Sequence, residues 1–230
     1  MLAAERHARI AQLIALQSAV TVPDLGKRFS VSDMTVRRDL QRLEQEGILV
    51  RIYGGAVARV SEQDAAYGVR EQVQREEKRA IARVAASLVN PGDTILIDAG
   101  TTTAQLARHL HGKMALTVIT NSLCVLRELG GDSQITLIAT GGTVRHSTLS
   151  FVGSWAEEML SRFRADRLFL AATAVDLERR LFNSNVHETG VKRRMIRSAR
   201  QVILSADHTK FEKQSTVKIA DLSEVHCDHR

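Results

Sequence analysis

Apolar positions recur in two rhythms along this chain, three to four residues apart near its start and in short unbroken runs later on. From Ala4 to Leu16, Ile10, Leu13 and Ile14 predict a first helix with one buried stripe. Val20 to Val22 reads as extended, and Pro23 suits the first turn of a second helix that carries Leu25 and Phe29 inward. Gly26 costs that helix up to ~1 kcal/mol relative to alanine and so points to a close helix contact. A third helix opens after Ser32, whose hydroxyl can cap the N–H near Thr35, while Val31 can staple onto Val36. Val36, Leu40 and Leu43 make its buried face. At about 100° per residue Arg38 points away from that face, flanked by Met34, Arg37, Gln41 and Arg42. Alone, this pattern fits either a helix that lies in the major groove of DNA or a surface helix with solvated arginines.

The sequence after this helix favours the first reading. The helix stops near Gly47, and ILVRIYGGAVARV predicts two strands about Gly54 and Gly55, with Arg51 and Tyr53 near the tip of the hairpin. Three helices and a basic hairpin make a winged helix-turn-helix over residues 1–60. The candidate DNA contacts are Ser32, Met34, Thr35, Arg37, Arg38, Gln41, Arg42, Arg51 and Tyr53.

Residues 61–75 are polar, without a sustained period, and predict a linker. From Glu77 a new amphipathic helix places Ile81, Val84, Ala85 and Leu88 on one face, and Asn90-Pro91-Gly92-Asp93 ends it. Then the second rhythm begins. TILIDA, ALTVIT, QITLIAT, RLFLAATAV, QVILSAD and TVKIA are nearly continuous apolar runs, with helical segments between most of them. That alternation predicts an α/β domain over 76–230, built on a mostly parallel sheet covered on both faces.

Charge changes the picture by naming a partner. The net charge is +6 over 230 residues, the isoelectric point is near 9.7, and residues 1–60 hold nine basic against six acidic side chains. This balance favours a polyanion. Cys124 and Cys227 stand alone, so neither a disulfide framework nor a zinc site is supported, and no metal or cofactor is expected. No apolar run approaches the ~20 residues of a membrane span, and the N-terminus lacks the apolar core of a signal peptide, so a cytoplasmic location is expected.

In a parallel α/β sheet, ligands sit just past the carboxyl ends of the strands, and polar residues gather there. After ILID comes Ala99-Gly100-Thr101-Thr102-Thr103, which suits a phosphate: a glycine for close approach, three hydroxyls and a following helix start. Alone, such a stretch is more often an ordinary strand-to-helix turn with a capping threonine, and the other strand ends tilt the balance towards a ligand. Thr120-Asn121-Ser122 and Thr140-Gly141-Gly142 end the next strands, with Asp176, Asp207 and Lys210 later.

The chain resembles the DeoR family of bacterial repressors of sugar metabolism. In the first domain the likeness rests on Arg6, Ile10, Ile14, SDMTVRRDL from Ser32 to Leu40, Gly47, and YGGA from Tyr53 to Ala56. In the second it rests on EEKRAIA, IDAGTTTAQLA, VITNSL, GGTVR, FVG, HETGVKRRMI and ADHTKF. The family's sensor domain is similar to sugar-phosphate isomerases and amino-sugar-phosphate deaminases, which implies a phosphorylated sugar as effector. On this resemblance Asp98, Gly100, Thr101, Thr102, Thr103, Asn121, Gly141, Glu188, Lys192 and Lys210 are the effector-site candidates. Lys192 also fits a solvated helix lysine beside Arg193, Arg194 and Arg197. Family members continue with a further helix and strand, whereas Val225-His226-Cys227-Asp228 is followed by two residues, so a shortened C-terminus is expected.

The leading expectation is a repressor that binds double-stranded operator DNA and is released by the sugar phosphate. A homodimer or homotetramer is expected, because one reader helix makes too few base contacts for high specificity. A sugar-phosphate isomerase or deaminase with a DNA-binding appendage is the rival, with Asp98, Glu188 and Lys192 as acid and base groups. Eight scattered histidines and the lack of a nucleophile with an evident base speak against catalysis. A nucleoid-type binder would fit the charge but not a dedicated pocket.

Overall fold

A computed structural model describes residues 3–17, 19–46, 48–58, 67–113 and 115–225, in two compact units, 1–61 and 62–230. Gly47, residues 61–66 of the expected linker and the chain end from His226 lie outside the described residues, so the expectations placed there are not addressed.

The first unit comprises α1 (Ala3–Gln17), β1 (Ala19–Thr21), α2 (Val22–Phe29), α3 (Asp33–Gln45), β2 (Leu49–Ile52) and β3 (Gly55–Ala58). Ile10, Ile14, Leu25, Val36, Leu40, Leu43 and Leu49 are buried together, so the helical stripes and the hairpin close on one small core. Gly26 sits where a Cβ would come within 3.2 Å of the Val31 carbonyl and the Asp33 carboxylate, which explains a glycine inside α2. The wing has one strand more than the hairpin pattern predicts, because β1 pairs antiparallel with β3 and makes the sheet order β1-β3-β2. Gly55 is obligatory at that seam: a Cβ there would lie 2.1 Å from the Val20 carbonyl oxygen.

The second unit begins with α4 (Tyr67–Gln72) and α5 (Arg75–Ser87). Residues 67–72 were expected to be linker; they form a helix instead. Tyr67 is buried in the unit's core, and the buried Lys78 ammonium donates to the carbonyls of Arg70 and Val73, anchoring the C-terminal end of α4. A short helix held by one buried aromatic ring and one lysine has too few apolar positions to show a period.

Next come β4 (Thr94–Ile97), α6 (Thr101–Ala107), β5 (Leu116–Thr120), α7 (Leu123–Leu129) and β6 (Ile135–Ala139). A hairpin of β7 (Thr143–Arg145) and β8 (Ser150–Val152) leads to α8 (Ser154–Ser161) and β9 (Ala165–Leu170). The chain ends through β10 (Ala174–Val175), β11 (Arg180–Asn183), α9 (Val186–Arg197), β12 (Ala199–Leu204) and β13 (Val217–Asp221). The main sheet is parallel throughout, in the order β12-β9-β4-β5-β6. Its central strand is apolar on both sides because both sides are covered: Ile95 and Ile97 pack with α5 to α7, Leu96 with α8 and α9.

Two of the apolar runs do not serve this sheet as expected. RLFLAATAV breaks after Leu170, and its end becomes β10 of a smaller antiparallel sheet, β10-β11-β13, which also takes TVKIA. The break falls where side chains replace the ladder, since the Ala171 N–H donates to Asp98 Oδ2 at 3.0 Å and its carbonyl accepts from Lys192 Nζ at 2.9 Å.

Candidate functional site

In the first unit, α3 is shaped from its cap outward. Ser32 Oγ accepts the Thr35 N–H at 3.3 Å and lies 3.0 Å from the Thr35 hydroxyl, so both residues serve the cap. Met34, Arg37, Arg38, Gln41 and Arg42 are exposed. Arg37 and Arg38 make no side-chain ion pair among the described residues, while Arg42 pairs with Glu46 at 3.0 Å. Arg51 is tied to α3, its N–H donating to Glu44 Oε1 at 2.9 Å and its guanidinium 3.5 Å from Oε2. Tyr53 is fully exposed at the wing turn, beside Gly54 in the left-handed region. The nine residues expected at DNA therefore share one unit, on α3, its cap and the wing.

One residue of α3 escaped the sequence reading. Asp39 is buried between α1 and α3, where it accepts from Arg6 Nη2 at 3.0 Å and lies 2.8 Å from His7 Nε2. Burial works to raise its carboxyl, but Arg6 and His7 outweigh it and hold the group below the ordinary carboxylate value. A signal existed: positions 36, 39, 40 and 43 form one helical stripe, so a carboxylate at 39 has to be buried and matched.

In the second unit a cavity of about 240 Å³ opens past the carboxyl ends of β4, β9 and β12. The position follows from topology: the chain runs outward from β4 to β5 and later returns to its other side as β9, leaving a crevice where the directions diverge. Ala99, Gly100, Thr101 and Thr102 form one wall, and Glu188 and Lys192 of α9 another. Ser205, Thr209 and Lys210 follow β12. Gly100 is required by crowding, since a Cβ there would come 2.6 Å from Ala171 Cβ.

Lys192 and Asp98 are hydrogen-bonded and buried beside this space. Burial pushes the Asp98 carboxyl up from its ordinary value, against the pull of Lys192 and the Ala171 N–H. Glu188 lies in the first turn of α9, capped by Asn185, and accepts from Asn183 Nδ2 at 2.7 Å. Burial alone would raise it too, but Lys192, the Thr148 hydroxyl, Asn183 and Arg145 together hold it below its ordinary value.

Of the effector-site candidates, Gly100, Thr101, Thr102, Glu188, Lys192 and Lys210 line the cavity, with Asp98 behind Lys192. Three do not. The Thr103 hydroxyl turns back to the carbonyls of Asp98 and Gly100, at 2.6 and 3.1 Å. Asn121 Oδ1 accepts the Ala99 N–H at 2.8 Å, bracing the loop instead of lining the space. Gly141 is a left-handed turn past β6, at the far edge of the sheet. The sequence reading missed Arg70, Lys78, Asn183 and Lys213, which complete the lining. Burial lowers the Lys78 ammonium from its ordinary value, with Asp207 opposing and Lys210 and Arg70 adding to the effect. Among the described residues there is no cluster that could hold a metal ion, and no helix long and apolar enough to cross a membrane.

A winged helix-turn-helix that presents free arginines, in one chain with a parallel α/β unit, is the build of a DNA-binding regulator. Residues 6–62 match the DeoR-like helix-turn-helix domain, and residues 73–227 the DeoR C terminal sensor domain. The chain belongs to the DeoR family, and it is a DNA-binding transcriptional regulator. It is similar to the uncharacterized HTH-type transcriptional regulator YulB of Bacillus subtilis, 38% identical over 226 residues, covering 98% of this chain and 87% of the relative. It is likewise similar to the glycerol-3-phosphate regulon repressor of Escherichia coli, 33% identical over 221 residues, covering 96% and 88%. Among solved structures, ribose 5-phosphate isomerase A of Methanocaldococcus jannaschii aligns with a TM-score of 0.45 at 18% identity, covering 60% of this chain and 56% of that one.

Proposed function

We propose that the protein represses transcription from operator DNA, as a homodimer or homotetramer, and is released by a phosphorylated sugar bound in the cavity of its second unit. The observation that carries this reading is the cavity itself: it lies at the topological switch point, holds several cations and is of small-molecule size. Its wall also suggests the route of coupling. Val69, Arg70 and Val73 line it, and they belong to or adjoin α4, the first element after the segment that joins the two units. A ligand that shifts α4 acts on the chain leading to the DNA-binding unit. The relative named for glycerol 3-phosphate supports a phosphorylated polyol or sugar.

An isomerase reading of Asp98, Lys192 and Glu188 has weaker support, because Asp98 and Lys192 are already bonded to each other and to the Ala171 backbone. The deciding experiment titrates phosphorylated and free sugars into the protein–operator complex and follows release by gel shift, with thermal melting in parallel. A true effector at 100 times its Kd adds about 2.7 kcal/mol of stability. If no phosphorylated sugar stabilises the protein or releases DNA, the reading is wrong.

A further inference from the structure

Two kinds of contact hold α3 in the first unit. Val36, Leu40 and Leu43 press it onto the small core through aliphatic contacts, which are non-directional and tolerate a helix that rolls about its axis. Asp39, on the same stripe, is held by direction. Arg6 of α1 donates to it with both arms of its fork, Nε to Oδ2 at 2.5 Å and Nη2 to Oδ1 at 3.0 Å, and His7 Nε2 stands 2.8 Å from Oδ1. Arg6 and Asp39 are both more than nine-tenths buried, so water does not compete for the pair. Stability alone does not call for this arrangement, since apolar residues of similar volume in place of a buried ion pair often leave a fold as stable or more so. What a planar bidentate pair adds is a fixed orientation.

Orientation matters because of what the same helix shows to solvent. Asp39 adjoins Arg38 in sequence, and Arg37, Arg38 and Gln41 are exposed while Asp39 is turned inward. A roll of about 20° moves the outer side chains of a helix ~11 Å across by about 2 Å, well beyond the ~0.5 Å range over which a hydrogen bond keeps its length. We propose that Asp39 and Arg6 are positioning residues for DNA reading: their pair sets the rotation of α3 about its axis, and with it the register of Arg37, Arg38 and Gln41 on base edges. This rests on α3 being the reader helix and adds the contact that aims it.

The test uses the full-length protein, a duplex that the parent enriches from a randomised pool, and a scrambled duplex of the same length, all at one salt concentration. Affinity for the scrambled duplex reports phosphate contacts, and the ratio of the two affinities reports base reading. The parent is expected to prefer the enriched duplex about 10³-fold or more. Arg6→Met combined with Asp39→Leu is expected to melt near the parent's temperature and to bind the scrambled duplex within about threefold of the parent, while its preference for the enriched one falls about tenfold or more, the scale of one lost base contact. Arg6→Lys keeps the charge pair without the fork, and its preference is expected to fall about threefold or more. A folded double variant that keeps the parent's preference overturns the inference and leaves α3 as the reader, provided Arg38→Ala still lowers that preference. If the double variant does not fold, Arg6→Lys decides: a lowered preference upholds the inference and an unchanged one overturns it. If Arg38→Ala leaves the preference unchanged, or the pool yields no enriched duplex, α3 is not the reader and this inference falls with that reading.

Discussion

Lys192 and Asp98, 94 residues apart in sequence, meet in a buried hydrogen-bonded ion pair beside the cavity. The lysine also donates to the Ala171 carbonyl and the aspartate accepts from the Ala171 N–H, so one pair ties the ends of β4 and β9 to the middle of α9. Lys192→Met would leave a buried carboxylate without its cation, and the expected loss is about 3–5 kcal/mol of stability in urea unfolding. Replacing both partners, as Asp98→Leu with Lys192→Met, is expected to recover a large part of it. A single variant within about 1 kcal/mol of the parent would mean that the pair does not organise the strand ends.

The first unit has its own buried pair, and it sets an acid limit. Asp39 is held below its ordinary value in the folded protein, so its contribution is complete above the unfolded-state value of about 3.9 and is lost as pH falls through the lower folded value. Asp39→Asn is expected to cost about 3 kcal/mol at neutral pH, because Arg6 stays buried without its carboxylate. Melting of a 1–61 fragment between pH 2 and 7 checks the sign: the parent loses stability below about pH 4, and the variant loses less over that interval.

Arg38→Ala is expected to weaken operator binding by about 1–3 kcal/mol while leaving the melting temperature within error, since the side chain is exposed and makes no hydrogen bond or ion pair among the described residues. Val36→Asp is the contrasting change: an unpaired charge enters a fully buried site and unfolds the small unit. Undiminished operator affinity of Arg38→Ala at matched salt would remove α3 as the reader.

The boundary of the second unit can be tested by length alone. A fragment of residues 62–230 keeps α4, whereas one of 76–230 loses the buried Tyr67 ring and the carbonyls that hold Lys78. The shorter fragment is expected to be less stable by at least about 2 kcal/mol, or to melt roughly 4–8 °C lower. Equal melting temperatures would return 67–75 to the status of linker.

What the sequence disclosed follows the range of the forces involved. The α3 helix was legible because its cap at Ser32, its staple at Val31 and its stripe at Val36, Leu40 and Leu43 lie within one short window. The parallel sheet was legible because strands buried on both faces are apolar throughout. The cavity was half legible. Gly100, Thr101 and Thr102 form a motif, but Asn183, Arg70 and Lys78 reach the same space from elements distant in sequence, and none carries a local pattern. Thr103 and Asn121 fall outside the lining because a hydroxyl or amide at a strand end can face the space or brace the loop, and composition does not distinguish the two. Asp39 was readable in principle, as the one charge inside an apolar stripe.

The wing is stitched to the rest of its unit at three points: the close seam of Gly55 on Val20, a hydrogen bond from Val22 N–H to the Gly54 carbonyl at 2.8 Å, and the Arg51 amide on Glu44. On the proposed reading of α3 and the wing, the two therefore meet a duplex as a single stamp with a fixed spacing. A stamp of this kind measures the width of the groove it spans. Base pairs beneath the wing that the protein never touches will matter through how readily they let the duplex take that width, so an operator can be weakened by stiffening its flank while every contacted base stays the same.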